Sequence, residues 1–338
     1  MLKKARVFAV DCFVVIAYYT GLVSLFYLLN RKRKRIVVFH NVLPDELFVD
    51  NIAEFVSDPV SRFRWIIREI GKHFRFSADV LDANTATITF DDGYLNQYEI
   101  ASKVLAEEGN IPGVIFTAGM NIDNQDAMHA LVVDRLIVWT AHVPNGEYVL
   151  KDGTRIVAST GNRAYLWHNI VMPKFLTDSI SRGEFVFSMF DAAYSFKKIL
   201  EKLPQEYVRL RLHGMKTYQI KELRDKGWKI GWHTFSHFAL SYLSTDDQRK
   251  ELIPPDDEFK HTVFSYPYGG LKQVNLNSIH IVEECGYPCA VSSCGVRTHL
   301  MGLFFIPRDG LNDGKFRLHY RLSGLRHFLI HHRLLPSL

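Results

Sequence analysis

Two adjacent carboxylates, Asp91 and Asp92, precede Gly93, and two histidines, His233 and His237, stand four residues apart. A carboxylate can ligate a cation or remove a proton. Neighbouring residues on an extended segment point in different directions, so the pair can divide those tasks. Imidazoles at this spacing fall on one side of a helical turn or a tight loop, where both can reach one divalent cation. One carboxylate with two imidazoles leaves coordination positions open for water and substrate, which suits hydrolysis or oxygen chemistry. Either pair alone carries little, because Asp-Asp-Gly is also ordinary turn chemistry. Their occurrence together points to a metal-dependent site.

Such residues need elements to position them. The run Ala86-Thr87-Ile88-Thr89-Phe90 is β-branched and alternates in polarity, which predicts a strand that delivers Asp91 and Asp92 at its C-terminal end. Gly93 then permits a tight turn and a close ligand approach. Trp228 to Trp232 reads as a second strand, ending at His233. Further strands are expected at 36 to 40, 113 to 117, 262 to 266, 289 to 293 and 303 to 307. Helix-like stretches, such as Gln97 to Glu108 and Tyr218 to Lys226, lie between several of them. This alternation suits an α/β fold, a β/α barrel with its chemistry at the strand ends.

The segments resemble those of the polysaccharide deacetylases with a NodB homology domain, carbohydrate esterase family 4. Thr89-Phe90-Asp91-Asp92-Gly93 is similar to that family's T-F-D-D-G segment, which implies Asp91 as the base and Asp92 as a metal ligand. His233-Thr234-Phe235-Ser236-His237 matches its H-[ST]-x-x-H segment, which implies His233 and His237 as the other ligands. Ser265-Tyr266-Pro267-Tyr268-Gly269 stands where many members have R-P-P-Y-G, so an oxyanion role passes to the backbone N–H of Tyr268. Ser265 departs from the pattern, because the arginine usually found there steadies the catalytic aspartate and serine cannot form a bidentate ion pair. Arg308, in Phe305-Ile306-Pro307-Arg308, is the expected replacement, with a surface arginine as the alternative. His40 ends the apolar run that starts at Ile36, and it stands ahead of the aspartates. This is similar to the exopolysaccharide and poly-N-acetylglucosamine deacetylases, whose acid histidine lies in an N-terminal Y-H segment; a core histidine is the other reading.

The resemblance implies a distorted (β/α)7 barrel of the NodB type within residues 36 to 317, with a divalent metal as cofactor. Zinc is expected first, with cobalt, iron and nickel compatible with the same donors. The implied activity is hydrolysis of N-acetyl groups on an amino-sugar glycan, free or lipid-linked. Removal of a formyl group from a lipid-linked amino sugar, and glycan binding without turnover, are the alternatives.

Residues 120 to 212 exceed what one β/α repeat needs and read as an insertion over the barrel mouth. Within it, Leu131 to His142 and Ala192 to Leu203 suggest helices, and Glu147 to Ile156 a hairpin around Asp152-Gly153. A lid that contacts sugar and a packing role are equally open. Residues 1 to 35 form a hydrophobic, membrane-associating segment: the apolar stretch 7 to 29, interrupted by Asp11 and Gly21, leads into Arg31-Lys32-Arg33-Lys34-Arg35. As one helix it would measure about 35 Å, against about 30 Å of hydrocarbon, so a spanning anchor and an in-plane helix both fit. The basic cluster predicts a catalytic domain on the cytoplasmic side. Residues 318 to 338 read as a basic amphipathic helix that closes the barrel or lies on a membrane. The net charge of +5 is largely explained by the N-terminal cluster, so no nucleic acid partner is implied. The four cysteines lack zinc-finger partners and read as reduced core thiols.

Overall fold

The computed structural model describes residues 2–48, 56–176, 180–295, 302–311 and 314–332. Eight strands carry the framework: β1 (Arg35–Phe39), β2 (Thr85–Phe90), β3 (Gly113–Thr117), β4 (Lys229–Trp232), β5 (Phe264–Ser265), β6 (Ala290–Ser292), β7 (Ile306–Pro307) and β8 (Asp309–Gly310). They pair in parallel in the order β8-β1-β2-β3-β4, with Arg75–Phe76 added beside β2, and separately as β5-β6-β7. β1 is buried at every position, as expected of a parallel strand covered on both faces. Phe39, Ile88, Phe90, Ile230, Trp232 and Phe264 pack into the largest core, together with side chains of the surrounding helices.

β7 and β8 are consecutive on one segment, and β7 pairs with β6 while β8 pairs with β1, so residues 306–310 join the two sheets. Among the described residues no ladder joins β4 to β5. The seam is held instead by the Thr262 hydroxyl, which donates to the carbonyl of Ile230 at 2.8 Å, and by Gly231. A Cβ at Gly231 would lie 2.2 Å from the Val263 carbonyl oxygen. The expected continuous barrel therefore appears as two parallel sheets, and the expected strands at 262 to 266 and 303 to 307 are shorter or shifted.

The segment between β3 and β4 has its own core around Leu136, Trp139, Phe190, Phe196 and Leu210. Its helix Val132–His142 and its hairpin Gly146–Val149 with Arg155–Ala158 fall where they were expected. The helix expected at 192 to 203 is instead two, Ile180–Ala193 and Phe196–Leu200, interrupted at Tyr194-Ser195.

The N-terminus departs most from expectation. Gly21, at φ 80°, breaks the apolar stretch into helices Leu2–Tyr19 and Leu22–Leu29, bent by 75°. No single helix among the described residues is long and apolar enough to cross a membrane. The C-terminal helix is also divided, at Ser323-Gly324, into Lys315–Leu322 and Leu325–His331, and residues 333–338 of the expected helix lie outside the described residues. The two broken helices pack on each other through Val14, Ala17, Val23, Phe26, Tyr320 and Leu325. Asp11, the one charge within the apolar stretch, pairs with Arg317 at 2.6 Å. Cys12 is exposed and so is not a core thiol, whereas Cys289 is buried; all four cysteines are free.

Candidate active site

The C-terminal ends of β1, β2 and β4 bring His40, Asp91, Asp92 and the His233–His237 loop together. Asp92 Oδ1 lies 3.0 Å from His237 Nε2 and 3.5 Å from His233 Nε2. Asp91 Oδ2 lies 3.8 Å from His233 Nε2 and 3.9 Å from His40 Nε2. The two histidines sit in a loop rather than on a helix, and the chain reaches this geometry by left-handed backbone at Thr234 (φ 65°) and His237 (φ 57°). Asp92 (φ 77°) and Tyr268 (φ 61°) share that conformation, so four of the seven non-glycine residues with positive φ among the described residues belong to this site. Backbone held in so sparsely populated a region costs about 1–3 kcal/mol per residue and is concentrated where function requires it. Gly93 turns the chain at φ 78°, and a Cβ there would lie 2.6 Å from Thr117 Cγ2.

The donor set of Asp92, His233 and His237 suits a divalent cation. One ligand atom from each residue lies within 4.8 Å of the others, and all three residues are buried. His233 Nδ1 is 2.7 Å from the carbonyl oxygen of Ser265, an acceptor only, so Nδ1–H donates there and the Nε2 lone pair is free for a metal. Asp92 Oδ1 is buried without a hydrogen bond of acceptable angle, despite the 3.0 Å approach of His237. A carboxylate oxygen placed this way is available to a cation.

Electrostatics separate the groups. Burial raises the Asp92 carboxyl, but attraction to the neighbouring His237 outweighs it and holds it well below the usual carboxylate range. Burial pushes His233 down to about 4, with Asp91 opposing. Burial also disfavours charge on His237, yet attraction to Asp92 prevails and raises it. Among the two loop imidazoles, charge is therefore favoured more on His237 than on His233.

Asp91 is supported by Arg308. Nη1 and Nη2 of Arg308 donate to Oδ1 and Oδ2 of Asp91, each at 2.7 Å, and neither residue is exposed. Ser265 joins this pair rather than replacing an arginine, accepting from Arg308 Nη2 at 2.8 Å and donating to Asp91 Oδ1 at 3.3 Å. Thr89 Oγ1 and the Ser292 carbonyl accept from the same guanidinium. Burial raises the Asp91 carboxyl, but Arg308 and then His233 lower it further, so it stays ionised. The Tyr268 ring lies 4.9 Å from that of His237 and 6.0 Å from that of Phe175, and its hydroxyl is buried without a partner. A cavity of about 140 Å³ opens beside His237 and Tyr268, lined by Val132, Phe175 and Phe238.

Three supporting features were missed in the sequence. Gln97 donates through Nε2 to the carbonyls of His40 and Asp91, tying β1 to β2 below the site. Asp134 and Arg211 form a fully buried pair at 2.9 Å, and the hydroxyl of Tyr94, the residue after Gly93, donates to Asp134. The available signal was a lone charge within an apolar run, in Val132-Val133-Asp134 and Leu210-Arg211-Leu212.

Residues 183–290 match the polysaccharide deacetylase family. That segment holds His233, His237 and Tyr268, and the fold adds His40, Asp91, Asp92 and Arg308 from outside it. None of the curated proteins matches this sequence significantly. Among solved structures, BC0361, a polysaccharide deacetylase from Bacillus cereus, has a similar fold, with a TM-score of 0.50 and 11% identity over 86% of this chain and 69% of that one. The Streptococcus pyogenes deacetylase PplD, solved with acetate, aligns at 12% identity over 88% and 97% of the two chains, with a TM-score of 0.48. IcaB from Ammonifex degensii aligns at 12% identity over 86% and 97%, with a TM-score of 0.48.

Proposed function

We propose, from the match of residues 183–290 to the polysaccharide deacetylase family, that this chain is a hydrolase of non-peptide amide bonds that removes N-acetyl groups from an amino-sugar glycan at a membrane surface. The observation that carries this reading is the bidentate Arg308–Asp91 pair beside the Asp92, His233 and His237 cluster. A binding protein would need no buried, ionised carboxylate next to three convergent metal donors.

An N-acetyl amide is a poor electrophile, so the site must activate water, stabilise negative charge on oxygen and protonate the departing nitrogen. A divalent cation held by Asp92, His233 and His237, with zinc first among the candidates, would supply Lewis acidity to the water and the carbonyl oxygen. Asp91 takes the proton of the attacking water on Oδ2, the oxygen nearer His40 and His233. Arg308 keeps this carboxylate ionised and fixes its plane. The backbone N–H of Tyr268 donates to the carbonyl oxygen as charge develops there, a contact worth about 3 kcal/mol in known hydrolases. His40, half-buried at the edge of the site, donates a proton to the leaving nitrogen. The small cavity beside Tyr268 suits an acyl methyl group.

Membrane association rests on Phe8, Ile16, Tyr19, Leu25, Leu28 and Leu29, which are exposed on the bent helix pair, and on the basic run that follows. An in-plane attachment fits the 75° bend better than a spanning anchor. The basic run favours the cytoplasmic face, with the glycan carried on a lipid. Protection of the chain from protease added to sealed right-side-out cells is the expected result, and free digestion would reverse the orientation.

The activity is tested by metal content together with acetate and formate release from N-acylated oligosaccharides and lipid-linked amino sugars. We expect a bound divalent ion and acetate release. Formate in place of acetate would assign a deformylase, and neither product with no metal would sink the reading.

A further inference from the structure

The N-terminal end of the strands carries a second cavity, of about 580 Å³, formed by the described residues. It is lined by Lys32, Arg33, Lys34 and Arg35 at the start of β1, by His327 from the last helix, and by Asp309 of β8. Residues 35 to 39 separate it from His40, and five residues of parallel strand span about 16 Å, so this cavity is distinct from the Asp91–Asp92 site.

Several observations mark it as a ligand site. Arg35 is 92% buried, its relative exposure being 8%, and its Nη2 has no hydrogen-bond partner. The rest of its guanidinium is fixed, with Nε donating to the Leu322 carbonyl at 2.6 Å and Nη1 to the carbonyls of Arg33 and Lys34. A buried guanidinium with an unused donor is costly unless an anion completes it. Lys32, Arg33 and Lys34 form no ion pair among the described residues. The one carboxylate lining the cavity, Asp309, also faces Arg326 at 3.7 Å, so cations stay in excess. The volume exceeds that of a simple ion and is in the range of small-ligand sites. Exposed Leu28 and Leu29 lead directly into this basic run, and exposed Phe328 follows His327.

We propose that this cavity binds a phosphate monoester, presented by an anionic lipid headgroup whose chains lie against the exposed leucines. A guanidinium and flanking ammonium groups are the donors that phosphate oxygens require. The apolar neighbours favour a lipid over a free ion. The proposal is independent of the hydrolytic reading, because it concerns the other end of the strands.

The test is calorimetric titration of the full chain with dihexanoyl phosphatidic acid below its micelle concentration, dihexanoyl phosphatidylcholine and inorganic phosphate. Saturable binding of phosphatidic acid is expected, with phosphate weaker and phosphatidylcholine negligible. The double variant Arg33→Glu, Lys34→Glu alters one exposed and one half-buried residue, leaves Arg35 in place, and should weaken phosphatidic acid binding by at least about tenfold. Asp91→Asn should leave this binding unchanged, which separates it from the deacetylase reading. Phosphate binding as tightly as phosphatidic acid would assign the cavity to the free ion and overturn the lipid. Binding of neither, equal binding of phosphatidylcholine, or no loss in the double variant with an unchanged melting temperature would overturn the site.

Discussion

The two ends of the same parallel strands carry opposite chemistry. At the C-terminal end, carboxylates and imidazoles converge, the backbone is held in strained conformations, and each charge is matched within the protein or shaped for a cation. At the N-terminal end, cations outnumber carboxylates and a buried guanidinium keeps an unused donor. Residues 308 and 309 display the contrast side by side: Arg308 serves Asp91, and Asp309 lines the basic cavity. Successive residues of a strand alternate in direction, so one short segment can serve two separate sites. One end thus offers donors suited to a cation, and the other offers donors suited to an anion.

The largest test of this contrast lies among the carboxylates and imidazoles. Asp91→Asn should reduce kcat by about 10²–10⁴-fold, the usual contribution of a general base, while metal content is kept. His233→Ala should lose both. Near-normal turnover in Asp91→Asn on a substrate the parent hydrolyses would remove Asp91 as the base.

Next in size is Arg308→Met, which leaves Asp91 as a buried, unpaired charge. At neutral pH the loss of stability in urea should be about 3–5 kcal/mol. The pH dependence has a definite sign. In the parent, Asp91 is held below its unfolded value, so its stabilisation is present above about 4 and is lost as pH falls through the folded value. In the variant, burial acts without the guanidinium and raises the carboxyl, so the deficit should narrow on acidification, beginning above about pH 4. A deficit that stays constant with pH would show that the loss comes from packing.

His40→Ala should lower kcat by about a hundredfold and abolish the alkaline limb of the pH–rate profile. An unchanged limb would remove it as the acid. The smallest effect is expected across the molecule: the Arg33→Glu, Lys34→Glu variant should release acetate from a soluble oligosaccharide within about twofold of the parent, because separated sites are nearly additive. A large loss there would mean that the two ends are coupled.

What could be read from the sequence divides along physical lines. Asp91, Asp92, His233 and His237 were legible because each pair is local and follows a strand. Arg308 was legible as a residue type at a strand end, but its reach to Asp91 depends on β7 and β8 joining the two sheets, a long-range fact. The 7 to 29 stretch was read correctly as apolar, yet composition does not distinguish a straight helix from one turned by a left-handed glycine at 21. The Asp134–Arg211 pair joins residues that are remote in sequence, so neither alone announced it.

The packing of the N-terminal helices has a consequence for reach. Tyr27 stacks on His73 at 3.8 Å and its hydroxyl is 2.9 Å from His319 Nδ1, while Asn30 Nδ2 donates to the Ser323 carbonyl. The apolar segment is therefore welded to the catalytic domain rather than hung from it by a leash. If that segment rests on lipid, the hydrolytic site is held at a set height, at most about one strand length, about 16 Å, beyond the basic cavity. A fixed height would restrict which sugars of a membrane-borne glycan can enter the site.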